Sequence, residues 1–265
     1  MDITFVKIGG SVITDIEKPN SARIEVIDRI LSEIARSRSS SRLLIGHGSG
    51  SFAHVPAHKY KVNQGLIDGN SMKGAAITQN VAARLHRIIL DRCNENGIEA
   101  LSFAPSSSAV SNKGRIETWN IAPIIEAMNR GFLPVTYGDV VMDSKQGVAI
   151  ASTEEVFRYL AMHLMPKRII IGTDVDGVYT SDPKKNPDAK LIEAINESNI
   201  AHIIKESARG STKIDVTGGM KGKVSNLYSI AMETGAECFI VNANVTGNLY
   251  KAISGKECKG TKISK

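Results

Sequence analysis

Aromatic side chains are scarce: they make up 5% of the 265 residues, with a single tryptophan. They form no extended alternation with lysines, so a stacking platform for single-stranded nucleic acid is unsupported. Cysteine is rare as well. Cys93, Cys238 and Cys258 are widely spaced, odd in number and free of any CxxC pair. Neither a disulfide framework nor a zinc site is expected, and a reducing cytoplasm suits the chain. No run approaches the roughly 18 uninterrupted apolar residues of a membrane span. The opening MDITFVKIGGSV lacks the basic-then-apolar order of a signal peptide. The Walker A pattern GxxxxGK[ST] is also missing, which excludes a P-loop enzyme.

The remaining composition is that of a globular protein, with 42% hydrophobic and 23% charged residues. The length suits one large domain or two intimate ones. A net charge of +6 favours anionic partners. The densest lysine run, Lys251, Lys256, Lys259, Lys262 and Lys265, reads as a solvated terminus.

Short β-rich runs alternate with helical patterns, which predicts a mainly parallel sheet flanked by helices. Strands are expected at ITFVKIG from Ile3, RLLIG from Arg42, FLPVTYGD from Phe132 and RIIIG from Arg168. CFIVNA from Cys238 is expected to close the series. Ile24, Ile27, Leu31 and Ile34 share one helical face. A long helix is expected from Ser71 to Asn96, with Ile77, Val81, Leu85, Ile88 and Ile89 inward and Gly97 as its stop. Ser152 and Glu155 have capping-box spacing. RSRSSSR, from Arg36 to Arg42, reads as a polar loop. A soft division near residue 165 suggests two lobes of one domain, built on one continuous sheet.

Three glycine clusters carry the chemistry. Lys7-Ile8-Gly9-Gly10-Ser11 follows a strand; glycines there let backbone amides approach an anion, and Lys7 adds charge. Gly46-His47-Gly48-Ser49-Gly50-Ser51-Phe52-Ala53-His54 repeats the arrangement after the second strand. Gly48, Gly50 and Ala53 also match the dinucleotide fingerprint GxGxxA, but no acidic residue stands at the end of a second strand to receive a ribose. His54 and His58 have metal-ligand spacing, yet Pro56 lies between them and no third ligand is near. His54 is better motivated as a phosphate donor. The third cluster, Asp215-Val216-Thr217-Gly218-Gly219-Met220-Lys221-Gly222-Lys223, precedes a helix, a natural polyphosphate site. Thr173-Asp174-Val175-Asp176-Gly177 reads as a strand-end turn with carboxylates toward a nucleotide, since its glycine is misplaced for a calcium loop.

Taken in order, KIGGSVIT at Lys7, GHGSGSFAH ending at His54, PVTYGDVVMD at Pro134, TDVDGVYTSDPKKNPDA at Thr173, DVTGGMKGK at Asp215 and GTKI at Gly260 resemble the amino acid kinase family. Within it they resemble the isopentenyl phosphate kinase branch, to which His54 points. The resemblance covers nearly the whole chain. It implies an α/β three-layer sandwich around an eight-stranded, mainly parallel sheet, with an acceptor lobe of about residues 1–165 and a nucleotide lobe of about 166–265.

It further implies transfer of the γ-phosphoryl group of ATP, with Mg2+, onto isopentenyl phosphate. Lys7, His54, Lys223 and Glu154 would be catalytic. ATP would meet Lys7, Gly9, Gly10, Ser11, Gly50, Thr173, Asp174, Tyr179, Gly218, Gly219, Lys221 and Lys223. The acceptor would meet Ser49, Gly50, His54, Gly138, Asp139 and Thr153. No protein-held metal, nucleic acid or membrane partner is implied; a homodimer is.

Two departures from the family pattern stand out. A lysine common after the first glycine pair is Ile16 here, with Lys18 two residues on as its expected replacement. The family's lysine-orienting aspartate corresponds to Glu154. Fosfomycin kinase and uridylate kinase are the rivals on the same scaffold. A nicotinamide dehydrogenase rests on GxGxxA alone, and a non-catalytic nucleotide sensor would have no need of both Lys7 and Lys223.

Overall fold

The computed structural model describes residues 2–38, 41–181, 183, 186–207 and 219–265, with backbone alone at 204–207, 219 and 221. The chain opens with β1 (Ile3–Ile8), α1 (Gly10–Ile13), α2 (Ile24–Ser37) and β2 (Arg42–His47). There follow α3 (Gly50–Lys59), α4 (Ser71–Glu95), β3 (Ala100–Ser102), β4 (Val110–Asn112), β5 (Arg115–Thr118), α5 (Ala122–Asn129) and β6 (Leu133–Tyr137). β7 (Asp139–Asp143) and β8 (Gly147–Ala151) form a hairpin before α6 (Thr153–Leu164) and β9 (Arg168–Thr173). The last part comprises β10 (Val178–Tyr179), β11 (Leu191–Ile192), β12 (Ala194–Ile195), α7 (Ile200–Ser207), α8 (Gly219–Thr234), β13 (Glu237–Asn242), α9 (Asn248–Ile253) and β14 (Gly260–Ile263).

The main sheet has eight strands in the order β12-β14-β13-β9-β1-β2-β6-β3. Every neighbouring pair is parallel except β13 with β14. The central strands are apolar runs without polar alternation, as a strand covered on both faces requires. Successive side chains then serve opposite faces. Phe5, Leu44, Ile169 and Ile171 pack with Phe157 and Leu160 of α6 and Leu227 of α8. Val6, Ile45 and Ile170 pack with Ile27, Leu31 and Ile34 of α2 and Ile89 of α4. Register places Lys7 beside Gly46 and Ile171, and Ile8 beside His47 and Gly172. Three strands therefore end level, and the loops after them open on one edge of the sheet, where ligands of such folds bind.

Several details depart from the sequence reading. Ile24 is 39% exposed, and Ile30 takes its place in the core. α2 continues through Arg36 and Ser37, because the Ser37 hydroxyl donates back to Glu33 O. FLPVTYGD breaks at Gly138 into β6 and β7, which belong to different sheets. The series does not close at CFIVNA: GTKI adds β14, antiparallel to β13. The terminal lysines stay exposed or, at Lys262, half-buried, and two of them also make ion pairs, Lys259 with Asp176 at 2.6 Å and Lys262 with Glu237. Ser152 does cap α6, accepting Glu155 N–H at 3.2 Å. The Glu155 carboxylate does not complete the box; it accepts Ile116 N–H and pairs with Arg115 and Arg158.

Candidate active site

The loops that leave β1 and β2 meet at their tips. Gly9 N–H donates to Gly172 O at 2.8 Å, and Gly48 N–H to Ile8 O at 3.0 Å, so the sheet anchors the bases of both loops. Gly50 has φ +46°, a region costly for other residues. A Cβ on Gly10 would stand 2.3 Å from Gly50 N, and one on Gly50 would stand 2.1 Å from Thr14 Oγ1. Only glycine allows this approach. The loops border a cleft of about 240 Å3.

Lys7 reaches the cleft from the end of β1, and its Nζ lies 2.5 Å from Glu154 Oε1, at the start of α6. Both side chains are buried. Burial by itself would raise the Glu154 carboxyl; the charge of Lys7, then that of Lys223, outweighs it and holds the group below its ordinary range. Glu154 therefore stays ionised within the field of two lysines. Lys223, on the first turns of α8, lines the same cleft. At the end of β9, Asp174 accepts the Ser11 hydroxyl at 3.2 Å.

The other end of the cleft is built around the His47 carbonyl, which accepts both the Thr153 hydroxyl (2.8 Å) and Gly138 N–H (3.1 Å). Ser49 Oγ donates to Gly138 O at 3.2 Å. Asp139 is buried, its carboxylate accepting the N–H groups of Ser106 and Val140. Desolvation pushes its pKa up despite those bonds. His54, exposed on α3, stands at the margin. The wall beyond is apolar or short: Ala53, Ala57, Thr78, Ala82, Val140 and Ile150.

Of the expected site residues, Lys7, Gly9, Gly10, Ser11, Ser49, Gly50, His54, Gly138, Asp139, Thr153, Glu154, Thr173, Asp174 and Lys223 line this one cleft. Tyr179 does not; its hydroxyl donates to Asp176, which also binds Asn242 and Lys259. That carboxylate ties the turn after β9 to β13 and to the segment before β14. Gly218 lies outside the described residues, Gly219 opens α8, and Lys221 is described in backbone alone. Lys18, 77% exposed and 4.0 Å from Asp15, does not line the cleft, nor does Ile16.

Ile77, Val81 and Leu85 do not line it either. Leu85 packs in the core with Val81 against it, and the face one residue on, Thr78 and Ala82, turns to the cleft. Among the residues that the sequence reading missed, Thr14 bridges the two loops; its hydroxyl four residues after Gly10 is the only signal.

The model of the amino acid kinase family matches residues 2–242. The chain is 40% identical to the isopentenyl phosphate kinase of Methanothermobacter thermautotrophicus, with 98% of each chain covered. It is 36% identical to that of Methanocaldococcus jannaschii, again with 98% of each covered. A solved isopentenyl phosphate kinase structure superposes with a TM-score of 0.85 at 37% identity, over 99% of this chain and 100% of that one. Fold, cleft and relatives agree: the chain belongs to the amino acid kinase family, in its isopentenyl phosphate kinase branch.

Proposed function

We propose that the chain transfers the γ-phosphoryl group of ATP directly onto isopentenyl phosphate, giving isopentenyl diphosphate and ADP. The observation that carries this reading is the cleft's division: two interlocked glycine loops at one end, and a short apolar wall beyond Ser49 and His54 at the other. Glycine backbone without covering side chains, beside Lys7 and Lys223, suits a polyphosphate. Glu154 is paired with Lys7, and Asp174 accepts the Ser11 hydroxyl. Mg2+ would ride on the nucleotide's phosphates, where it adds neutralising charge.

In the step, an oxygen of the acceptor phosphate forms a bond to the γ-phosphorus as the bond to the β-bridging oxygen breaks. ADP leaves with that electron pair. Two anions must meet, so the protein's task is positioning and charge neutralisation. Lys7 and Lys223 supply charge, and Glu154 orients them. The amides at Gly10 and Gly50 face the phosphates between them. Ser49, Gly50 and His54 hold the acceptor's head, on a floor shaped by Gly138, Asp139 and Thr153. Thr173 and Asp174 face the nucleoside, with Gly219 and Lys221 toward its phosphates. A phosphate monoester has its second pKa near about 6, so it is already nucleophilic at neutral pH and needs no general base. Residues up to about 165 would serve the acceptor and those beyond it the nucleotide. A homodimer in the cytoplasm, acting in isoprene biosynthesis, completes the reading.

ADP release with isopentenyl phosphate, methyl phosphate, fosfomycin and UMP in parallel tests it. Burying five carbons is worth up to about 4 kcal/mol, at about 0.8 per methylene. Isopentenyl phosphate should exceed methyl phosphate by two or more orders of magnitude in kcat/KM. His54→Ala should harm both alike, because it touches the shared head. Equal efficiency would sink the prenyl assignment and spare the kinase one; a preference for fosfomycin or UMP would move the assignment to that relative.

A further inference from the structure

Thr14 caps the C-terminal end of α1 and is 1% exposed. Its hydroxyl makes two hydrogen bonds. Oγ1 donates to Gly10 O at 2.7 Å, in the loop after β1, and accepts Ser51 N–H at 3.0 Å, in the first turn of α3. One oxygen thus joins the tips of the two loops. Their bases are held elsewhere, by Gly172 O and Ile8 O on the sheet. Ser51's own hydroxyl offers no second tie, since it is buried with no partner among the described residues.

We infer that the Thr14 hydroxyl is a positioning group that sets the separation of the two glycine loops, and through it the distance between attacking oxygen and attacked phosphorus. This rests on the phosphoryl-transfer reading, in which one loop faces the donor phosphate and the other the acceptor. Each loop can bind its own ligand with its base intact. What needs both loops at a fixed spacing is the transfer, where reacting atoms must come within about 3–3.5 Å and a misplacement of about 1 Å costs about a hundredfold. Removing the hydroxyl leaves Ser51 N–H buried without its acceptor, and the tip of α3 relieves this by shifting. Gly10 O keeps its bond from Thr14 N–H at 3.0 Å, so α1 itself holds. The loss should therefore appear in kcat and spare ligand affinity, a pattern that a general loss of stability would not produce.

The experiment compares wild type, Thr14→Val and Thr14→Ser. Valine keeps the shape and removes the hydroxyl, whereas serine keeps the hydroxyl and removes the methyl group. Steady-state kinetics with ATP and isopentenyl phosphate are measured beside calorimetric Kd values for each ligand alone and thermal unfolding. Thr14→Val should lower kcat about tenfold or more, with both Kd values within about threefold, and Thr14→Ser should restore kcat to within about threefold. Thr14→Ala replaces the valine variant if that does not fold. An active wild type matched in kcat by the hydroxyl-free variant overturns the inference alone. So does a serine variant as slow as the valine one, or a loss confined to one ligand's Kd. A wild type that releases no ADP with any acceptor brings down the transfer reading, and the inference with it.

Discussion

At the scale of residues, the arrangement of Lys7, Glu154 and Lys223 is the least accessible part of the site from a chain read in order. Lys7 and Glu154 are 147 positions apart, and Glu155 beside it has the same charge. Their separate fates follow from a helical turn of about 100° between neighbours: Glu154 faces Lys7, while Glu155 faces Arg115 and Arg158. Lys223→Ala should lower kcat by at least about a hundredfold, the usual scale for losing a charge aimed at a transition state, with a smaller effect on ATP affinity. Single-turnover rates beside ATP titrations would check this. Near-normal turnover would remove Lys223 from the role and pass it to Lys221. Lys18, close to the first loop in sequence, is 77% exposed and 4.0 Å from Asp15, and it does not line the cleft.

Among elements, α3 and α4 shape the apolar end of the cleft. The 3.6-residue period in α4 identifies an apolar stripe but not what covers it. Leu85 and Ile89 turn to the sheet, and the adjoining stripe of Gly74, Thr78 and Ala82 turns to α3 and the cleft. Gly74 permits this packing, since a Cβ there would stand 2.1 Å from Tyr60 Cβ. The short side chains facing the cleft leave the space that a five-carbon tail would fill. Ala57→Leu should fill part of it. Overpacking of this kind costs about 1–3 kcal/mol, so kcat/KM for isopentenyl phosphate should fall about tenfold while methyl phosphate loses far less. Equal losses on the two acceptors would show that Ala57 shapes the head site and not the tail pocket.

Across the whole molecule, stability is tied to a buried imidazole pair. His47 at the end of β2 and His86 on α4 lie 2.9 Å apart, Nε2 to Nδ1, and His86 Nε2 meets Ser102 Oγ at 2.8 Å. Tyr137 stacks on both rings. Burial lowers His47 from 6.5 to about 4, against a raising bond from Gly48 O and with help from Lys7. Burial, then the neighbouring His47 and Arg87, lowers His86 to about 2. Unfolded, both would titrate near 6.5, so below that pH the unfolded chain takes up protons that the folded one refuses. The contribution to stability is whole above about pH 6.5 and is lost as the pH falls toward 4. Thermal unfolding between pH 7 and 5 should show the midpoint dropping, and His86→Gln should flatten that slope. A wild-type midpoint unchanged over the range would contradict the pair's role.

Five strands of the main sheet, the two glycine loops and the lysine before the first of them were readable in the sequence, because they depend on neighbours within about ten residues. β-branched runs make buried strands, and glycine permits tight turns wherever it stands. The same local rules cannot say that Gly10 and Gly50 interlock, that Thr14 joins them, or that Lys7 meets Glu154. Those outcomes depend on strand register and helix rotation, which place residues tens or hundreds of positions apart within a few ångströms. A sequence holds the identities of such partners, but only packing against a common sheet brings their atoms to bonding distance.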